Sequence, residues 1–110
     1  MSALRVLLMT APSAESAEAI TRTLVEEHLI ACGNITMPIA SIYRWQGEIE
    51  RASEVLVIMK TTEDAAADVI RRVSELHPYE LPEVLSLPVD SGHARYIDWV
   101  QASVAINHEV

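Results

Sequence analysis

Cysteine, glycine and proline are all scarce in this sequence. The single cysteine, Cys32, cannot form an internal disulfide, which excludes a disulfide-stabilised scaffold and is typical of a reducing compartment. Three glycines and five prolines among 110 residues, half of them hydrophobic, exclude a disordered or collagen-like chain. Because this length suits one globular unit, we expect residues 1–110 to form a single domain.

Basic residues and long hydrophobic runs are also lacking. Eight basic residues against 16 acidic ones give a formal net charge of −8, and such a surface repels the phosphates of nucleic acids. Near the N-terminus, Arg5 precedes only four apolar residues, Val6 to Met9, a run too short for a signal-peptide core or a membrane span. We therefore expect a cytoplasmic protein with no nucleic-acid and no membrane partner.

The first half of the sequence predicts a strand, a helix and a β-hairpin. We expect the strand at Leu4–Thr10 and the helix from Ala14 to about Ile30, with Ser13 as its N-cap and Gly33 after its end. The remaining expected features are an extended segment from Asn34 with a kink at Pro38, a β-rich stretch at Ser41–Gln46, a turn at Gln46–Glu48 and a return strand at Glu48–Thr61.

The second half predicts a helix, a strand and a further helix. Thr62 is the expected N-cap of a helix at Glu63–Leu76, which Pro78 stops. A strand at Val84–Val89 and a helix from His93 to about Asn107 follow. Two such split βαβ units form a ferredoxin-like α+β sandwich, here βαββαβ with an extra C-terminal helix, and right-handed crossovers place the first two helices on one sheet face.

The central strands are apolar on both faces. Val55, Val57 and Met59 alternate with Leu56 and Ile58, whereas a water-facing strand would alternate apolar with polar residues. The last helix is a candidate cover for the second face, but one short helix is too small for a whole four-stranded sheet. We therefore expect copies of the chain to associate through this face.

The segment after the second helix is the best candidate site. Pro78 restricts the backbone of His77, and a neutral imidazole beside the carboxylate of Glu80 suits copper or zinc. The alternative is a structural turn in which Tyr79 packs at a subunit contact. No second histidine or cysteine lies at ligand spacing, which favours that structural alternative.

Cys32 and Lys60 are further candidates. The Cys32 thiolate is a possible ligand for a soft metal, although a free cysteine is more often a small buried hydrophobe. Lys60, the only lysine, ends an apolar strand, where an ammonium needs a partner. That partner is either a glutamate (Glu48, Glu80 or Glu83) or an anionic ligand in a cleft between subunits.

The hairpin carries aromatic residues near its tip. Tyr43 and Trp45 are expected either to anchor an interface with a neighbouring subunit or to stack on a ligand. A small anionic effector would use Arg44 together with Lys60 and Tyr79, although the sequence contains no glycine-rich phosphate-binding loop.

Several segments together resemble the CutA divalent-cation tolerance family, from Val6 to about Ser103. The matching segments are Ala31–Ile35, Ser41–Ile49, Glu54–Thr61, His77–Glu80, Pro82–Glu83, Leu87–Val89 and Tyr96–Trp99. The resemblance implies a homotrimer with a fold like that of the PII signalling proteins, clefts between subunits and a role in tolerance of divalent metals, copper above all. We expect no obligatory cofactor, and the candidate ligands for copper or another divalent metal are His77, Cys32 and Glu80.

The sequence departs from some family members at two positions. Leu76-His77 stands where they have paired histidines, and Met9 stands where they have a cysteine, so a copper site built from those groups would lack two ligands. The Met9 thioether remains a candidate ligand for Cu(I).

The function expected from the sequence is therefore that of a non-catalytic trimer involved in tolerance of, or response to, divalent metal ions such as copper, with the clefts between subunits as the candidate metal sites. A PII-like signalling or adaptor protein that binds a small anionic effector is the alternative. Catalysis of the acylphosphatase type would need an anion-binding loop after the first strand, but Thr10–Ser13 contains neither arginine nor glycine.

Overall fold

The computed structural model describes residues 2–105 of the chain. Its elements are, in order, β1 (Leu4–Ala11), α1 (Ala14–Glu26), β2 (Cys32–Ile35), β3 (Ile39–Trp45), β4 (Glu48–Thr62), α2 (Glu63–Leu76), β5 (Val84–Pro88) and α3 (Ala94–Ala105). The predicted order is confirmed, with the extended segment before the hairpin divided into two strands at Pro38. The predicted end of the last helix, at 106–107, lies outside the described residues.

The sheet is organised around β4, which is 15 residues long. Its second half pairs with β1 and β2, its first half pairs with β3, and every pairing is antiparallel. Strand β5 joins the other side of β1, which gives the order β2-β4-β1-β5. Helices α1 and α2 pack against the same sheet face, so the ferredoxin-like α+β sandwich is confirmed.

Helix α1 starts where predicted and ends earlier than predicted. The Ser13 side chain accepts a hydrogen bond of 3.1 Å from the backbone N–H of Ser16, as an N-cap does. The helix ends at Glu26 rather than near Ile30, because His28 adopts a left-handed φ of 60° and reverses the chain. Gly33 therefore does not follow the helix end but lies inside β2.

The N-terminal segment caps helix α2. Thr62 occupies the N-cap position, as predicted, but its side chain makes no capping hydrogen bond. The Ser2 hydroxyl instead accepts from the Asp64 N–H at 2.9 Å, and the Ala3 carbonyl accepts from the Glu63 N–H at 2.7 Å. These contacts satisfy helix donors that would otherwise be orphaned, and they join the start of the chain to its middle.

The two-residue turn between β3 and β4 has the geometry of a tight hairpin. Gln46 and Gly47 both have positive φ, 51° and 84°, which is the type I′ arrangement that matches the twist of the flanking strands. The turn predicted at Gln46–Glu48 is confirmed, and it carries a long two-stranded hairpin outward from the core.

The second face of the sheet remains largely uncovered in the single chain. Helix α3 packs through Val100 and Val104 against one end of this face, around Leu4. Beyond the helix, Leu85 and Leu87 on β5 keep 56% and 45% of their surface exposed. The prediction that the last helix is too small to cover the face is therefore confirmed.

Gly33 allows helix α1 to approach the sheet closely. A Cβ at this position would lie 2.6 Å from Cγ2 of the buried Thr21, a distance that forces one of the two elements to shift. We expect Gly33→Ala to lower the free energy of unfolding by about 1–3 kcal/mol, measured by denaturant unfolding at fixed protein concentration.

The control is the same change in a Thr21→Ser background, which removes the obstructing methyl group. There Gly33→Ala is expected to destabilise the protein much less, giving a coupling between the two sites. Equal losses in both backgrounds would contradict the steric explanation.

Candidate functional site

His77 links helix α2 to strand β1. It lies just beyond Leu76 in an extended conformation, as expected for a residue before proline, and only 8% of its surface is exposed. Its Nε2–H donates to the Thr10 carbonyl at 2.8 Å, and its Nδ1 accepts from the Tyr79 N–H at 3.0 Å. Both ring nitrogens are thus engaged by the backbone, which leaves neither free to bind a metal.

Tyr79 continues this network to strand β4. Its hydroxyl donates to Oε2 of Glu54 at 2.8 Å, and its ring packs against the His77 imidazole with centroids 4.8 Å apart. Burial, together with the hydrogen bond to the Glu54 carboxylate, raises the pKa of Tyr79 to about 12. Glu54 itself is only 8% exposed, an unusual degree of burial for a carboxylate.

A cavity of about 740 Å³ lies between the hairpin and the segment after α2. Its walls include five residues that the sequence singled out as ligand or metal candidates: Tyr43, Arg44, Trp45, Tyr79 and Glu80. Glu54 and Glu83 also line it. The predicted candidate Glu48 pairs across the hairpin with Trp45 and is exposed, but it does not line the cavity.

Sequence reasoning missed Glu54 as a site residue. The signal was present, since Glu54 precedes a run of apolar residues on a strand and alternates onto the face of Leu56 and Ile58. A carboxylate at such a position needs a partner, and the Tyr79 hydroxyl supplies one from 25 residues further along the chain.

A second polar group lies at the other end of β4. Lys60 pairs with Cys32 in the sheet register, and its ammonium donates to the side-chain oxygen of Asn34. The Cys32 sulfur lies 3.5 Å from the Tyr96 hydroxyl. This hydrogen bond, followed by burial, raises the pKa of Tyr96 to about 12. The ion pair expected between Lys60 and a glutamate does not form within residues 2–105.

The three predicted metal ligands do not converge within one chain. Cys32 is paired with Lys60, whereas His77 is bonded to Thr10, which is paired with Leu56. Four residues along β4 separate these two pairs, which corresponds to about 13 Å. Across the part of the chain that the structure describes, no three side chains of metal-binding type form a cluster.

The fold and these segments belong to a known family. The family model described as CutA1 divalent ion tolerance protein matches residues 5–103 of the chain. A Divalent-cation tolerance protein CutA from Thermus thermophilus is 47% identical over 96 residues, which cover 87% of this chain and 93% of that protein. The chain belongs to the CutA1 family.

Solved structures of CutA1 proteins share this architecture. The Thermus thermophilus structure superposes with a TM-score of 0.89 at 45% identity, covering 91% of this chain and 97% of that one. The structure from Ehrlichia chaffeensis superposes with a TM-score of 0.91 at 33% identity, covering 96% and 98%. The family expected from the sequence motifs is therefore confirmed.

The CutA relatives differ in length and in described location. The chain matches human Protein CutA at 42% identity over 84% of its own length but only 52% of that protein. A relative from Arabidopsis thaliana is named chloroplastic, and a structure from Archaeoglobus fulgidus is described as periplasmic. Within residues 2–105, no helix is both long enough and apolar enough to cross a membrane.

The structural role of His77 can be tested by removing its ring nitrogens. We expect His77→Phe to lower the free energy of unfolding by about 2–4 kcal/mol, because the Thr10 carbonyl and the Tyr79 N–H would lose their buried partner. The measurement is denaturant unfolding at fixed protein concentration, with and without a metal chelator.

The control is His93→Phe, since His93 is exposed and its one ring hydrogen bond is long at 3.4 Å. That variant should lose less stability than His77→Phe. A His77→Phe loss that disappears in chelator would show instead that His77 acts through a bound metal.

Proposed function

We propose that this protein is a non-catalytic homotrimer that contributes to tolerance of divalent metal ions, copper among them, in the cytoplasm. Its family model and its Thermus thermophilus relative both carry names that refer to divalent ion or cation tolerance. The trimer is proposed mainly because the single chain leaves an apolar surface uncovered. That surface comprises the second sheet face and the β3–β4 hairpin.

The hairpin exposes more apolar surface than an isolated domain usually leaves in water. Ile42 and Ile49 keep 72% and 70% of their surface exposed, and Tyr43 and Trp45 are exposed as well. Strand β3 packs mainly against β4 and not against the helices. Burial against another subunit would stabilise the assembly at roughly 25 cal/mol per Å² of apolar area, before the entropy of association is subtracted.

The two faces of the hairpin are complementary in charge. Cross-strand partners place Tyr43 with Glu50 and Trp45 with Glu48, which makes one face aromatic and acidic. On the opposite face, Ile42 pairs with Arg51 and Ile49 with Arg44, which makes it aliphatic and basic.

Complementary faces on opposite sides of one hairpin favour a head-to-tail contact between different surfaces. Such a heterologous contact closes into a ring when the rotation allows it, and a trimer is the smallest ring of this kind above a dimer. A symmetric dimer would instead bring the same face of each copy together, placing like charges against each other.

The donor groups of one subunit do not fit a resident copper ion. Both nitrogens of His77 are engaged, and the Met9 side chain is fully buried in the core, so its thioether is not the accessible ligand that the sequence suggested. Cys32 and Glu80 remain as candidate ligands, on separate parts of the chain. Metal contacts that need both would have to combine groups from different subunits.

A second candidate function is the binding of a small anionic effector, and Lys60 favours it. This half-buried ammonium has a neutral amide as its partner and no carboxylate in ion-pair distance within residues 2–105. The expected effector site combined Lys60 with Arg44 and Tyr79, but the structure separates Lys60 from both within one chain. An effector that contacts all three would have to lie between subunits.

The oligomeric state is tested by native mass spectrometry at micromolar concentration. We expect a mass three times the 12.2 kDa of the chain. Ile49→Glu should shift the protein toward the monomer, because it places a charge on the aliphatic face of the hairpin. Val25→Glu, on the helical side, is the matched control and should remain trimeric. A monomeric wild-type protein would overturn the proposal.

The metal role is tested by growth of cells that lack the gene across a series of copper concentrations. We expect growth to be inhibited at lower copper concentrations without the gene, and wild-type protein to restore tolerance. If tolerance needs the assembled protein, Ile49→Glu should not restore it and Val25→Glu should. Identical growth curves with and without the gene would refute a role in copper tolerance.

A further inference from the structure

The carboxylate of Glu54 is buried without a positive partner. Only 8% of Glu54 is exposed, and the hydrogen bond it receives comes from the neutral Tyr79 hydroxyl. Within residues 2–105, no lysine, arginine or histidine lies in ion-pair distance of it. Removing a carboxylate from water without a compensating cation is unfavourable, so this position is poised for a positive charge from outside the chain.

The cavity beside Glu54 has the composition of a site for an organic cation. Its wall contains three aromatic rings, from Tyr43, Trp45 and Tyr79. The faces of such rings attract ammonium and guanidinium groups. The charged residues in the wall are Glu54, Glu80, Glu83 and Arg44, so negative charge predominates. A volume of about 740 Å³ lies within the range of small-molecule sites.

We propose that this cavity binds an organic cation, an ammonium or guanidinium group carried on a short apolar body. The positive group pairs with the Glu54 carboxylate, and the apolar body packs against Trp45 and Tyr43. Tyr79 positions the carboxylate by donating its hydroxyl to Oε2, which leaves Oε1 as the acceptor for the ligand.

Other ligand classes fit this cavity less well. An inorganic divalent ion prefers several hard oxygen or imidazole ligands, yet no group of three such side chains is formed in the described chain. An anion would meet three carboxylates and a single arginine. The proposal does not depend on metal tolerance, and each observation behind it lies within one chain. Only the second of the two cation sources below involves a neighbouring copy.

The positive group that pairs with Glu54 has two candidate sources. One is a free amine or guanidine of the cell, and the other is a guanidinium of a neighbouring copy, for which Arg51 on the basic face of the hairpin is suited by its exposure. The experiment must therefore separate a small-molecule site from a contact between subunits.

The probes are butylammonium, butylguanidinium and tetramethylammonium, each compared with neutral butanol and anionic butyrate at matched ionic strength. Binding is followed by the indole N–H signals of ¹⁵N-labelled protein, in which Trp99, on helix α3, provides an internal control for Trp45. We expect the cations to shift the Trp45 indole signal saturably and to leave the Trp99 signal without a saturable shift. The neutral and anionic probes should shift neither signal saturably.

Glu54→Gln removes the charge and keeps an oxygen for the Tyr79 hydroxyl, so it should weaken cation binding by about tenfold or more. The matched control is Glu50→Gln, on the hairpin but outside the cavity wall, which should leave affinity unchanged. If only Arg51→Ala protein binds the probes, a neighbouring copy supplies the guanidinium and the ligand class still holds.

Equal binding of butyrate or butanol would overturn the proposal, as would equal affinity in Glu54→Gln protein or no binding in either wild-type or Arg51→Ala protein. Native mass spectra and copper-tolerance assays of the same variants report separately on the proposed trimer and metal role. The absence of cation binding can therefore be distinguished from the absence of a trimer and from the absence of copper tolerance.

Discussion

Strand β4 passes from the exposed hairpin into the buried core along one continuous length of backbone. Its second half lies in the centre of the sheet, where Val55, Val57 and Met59 are buried against the helices. Its first half leaves the core and pairs only with β3 in the exposed hairpin. The core, the hairpin and the cavity therefore share one continuous strand, and Glu54 lies where the two environments meet.

The hydrogen bonds around His77 fix the segment after α2 relative to that strand. The imidazole joins the segment to β1 through Thr10, and the Tyr79 hydroxyl joins it to β4 through Glu54. This explains why a proline-containing turn without regular secondary structure forms one wall of a defined cavity. It also explains why histidine is suited to position 77, since few other side chains can donate and accept on opposite sides of a planar ring.

Much of the fold was predictable because its signals are local. Helical and strand periodicity, the Ser13 cap, the break at Pro38 and the Gln46-Gly47 turn all act within a few residues. The features that were missed depend on contacts between distant residues. Ser2 caps a helix 62 residues later, and Gly33 is small because Thr21 lies against it.

The candidate site was predictable in part, for the same reason. The sequence identified His77, Tyr79, Arg44 and Trp45 as chemically capable residues, and the structure places the last three around one cavity. It did not indicate that the backbone would occupy both nitrogens of His77, because the carbonyl of Thr10 is 67 residues away. Nor did it single out Glu54, whose burial follows from the hairpin leaving the core beside it.

Glu54 and Lys60 together show that the single chain is electrostatically incomplete. Both belong to β4 and are six residues apart. Because side chains alternate between the two faces of a strand, they lie on the same sheet face, about 20 Å from each other. Each lacks a partner of opposite charge within residues 2–105, although the chain contains 24 charged residues of both signs. Exposed ion pairs on the helices contribute little to the free energy of unfolding. An unpaired charge at a partly buried position lowers it, because the charge loses contact with water. The proposed cation site and the alternative anion site therefore rest on these two charges, at opposite ends of one stretch of β4 on the uncovered face of the sheet.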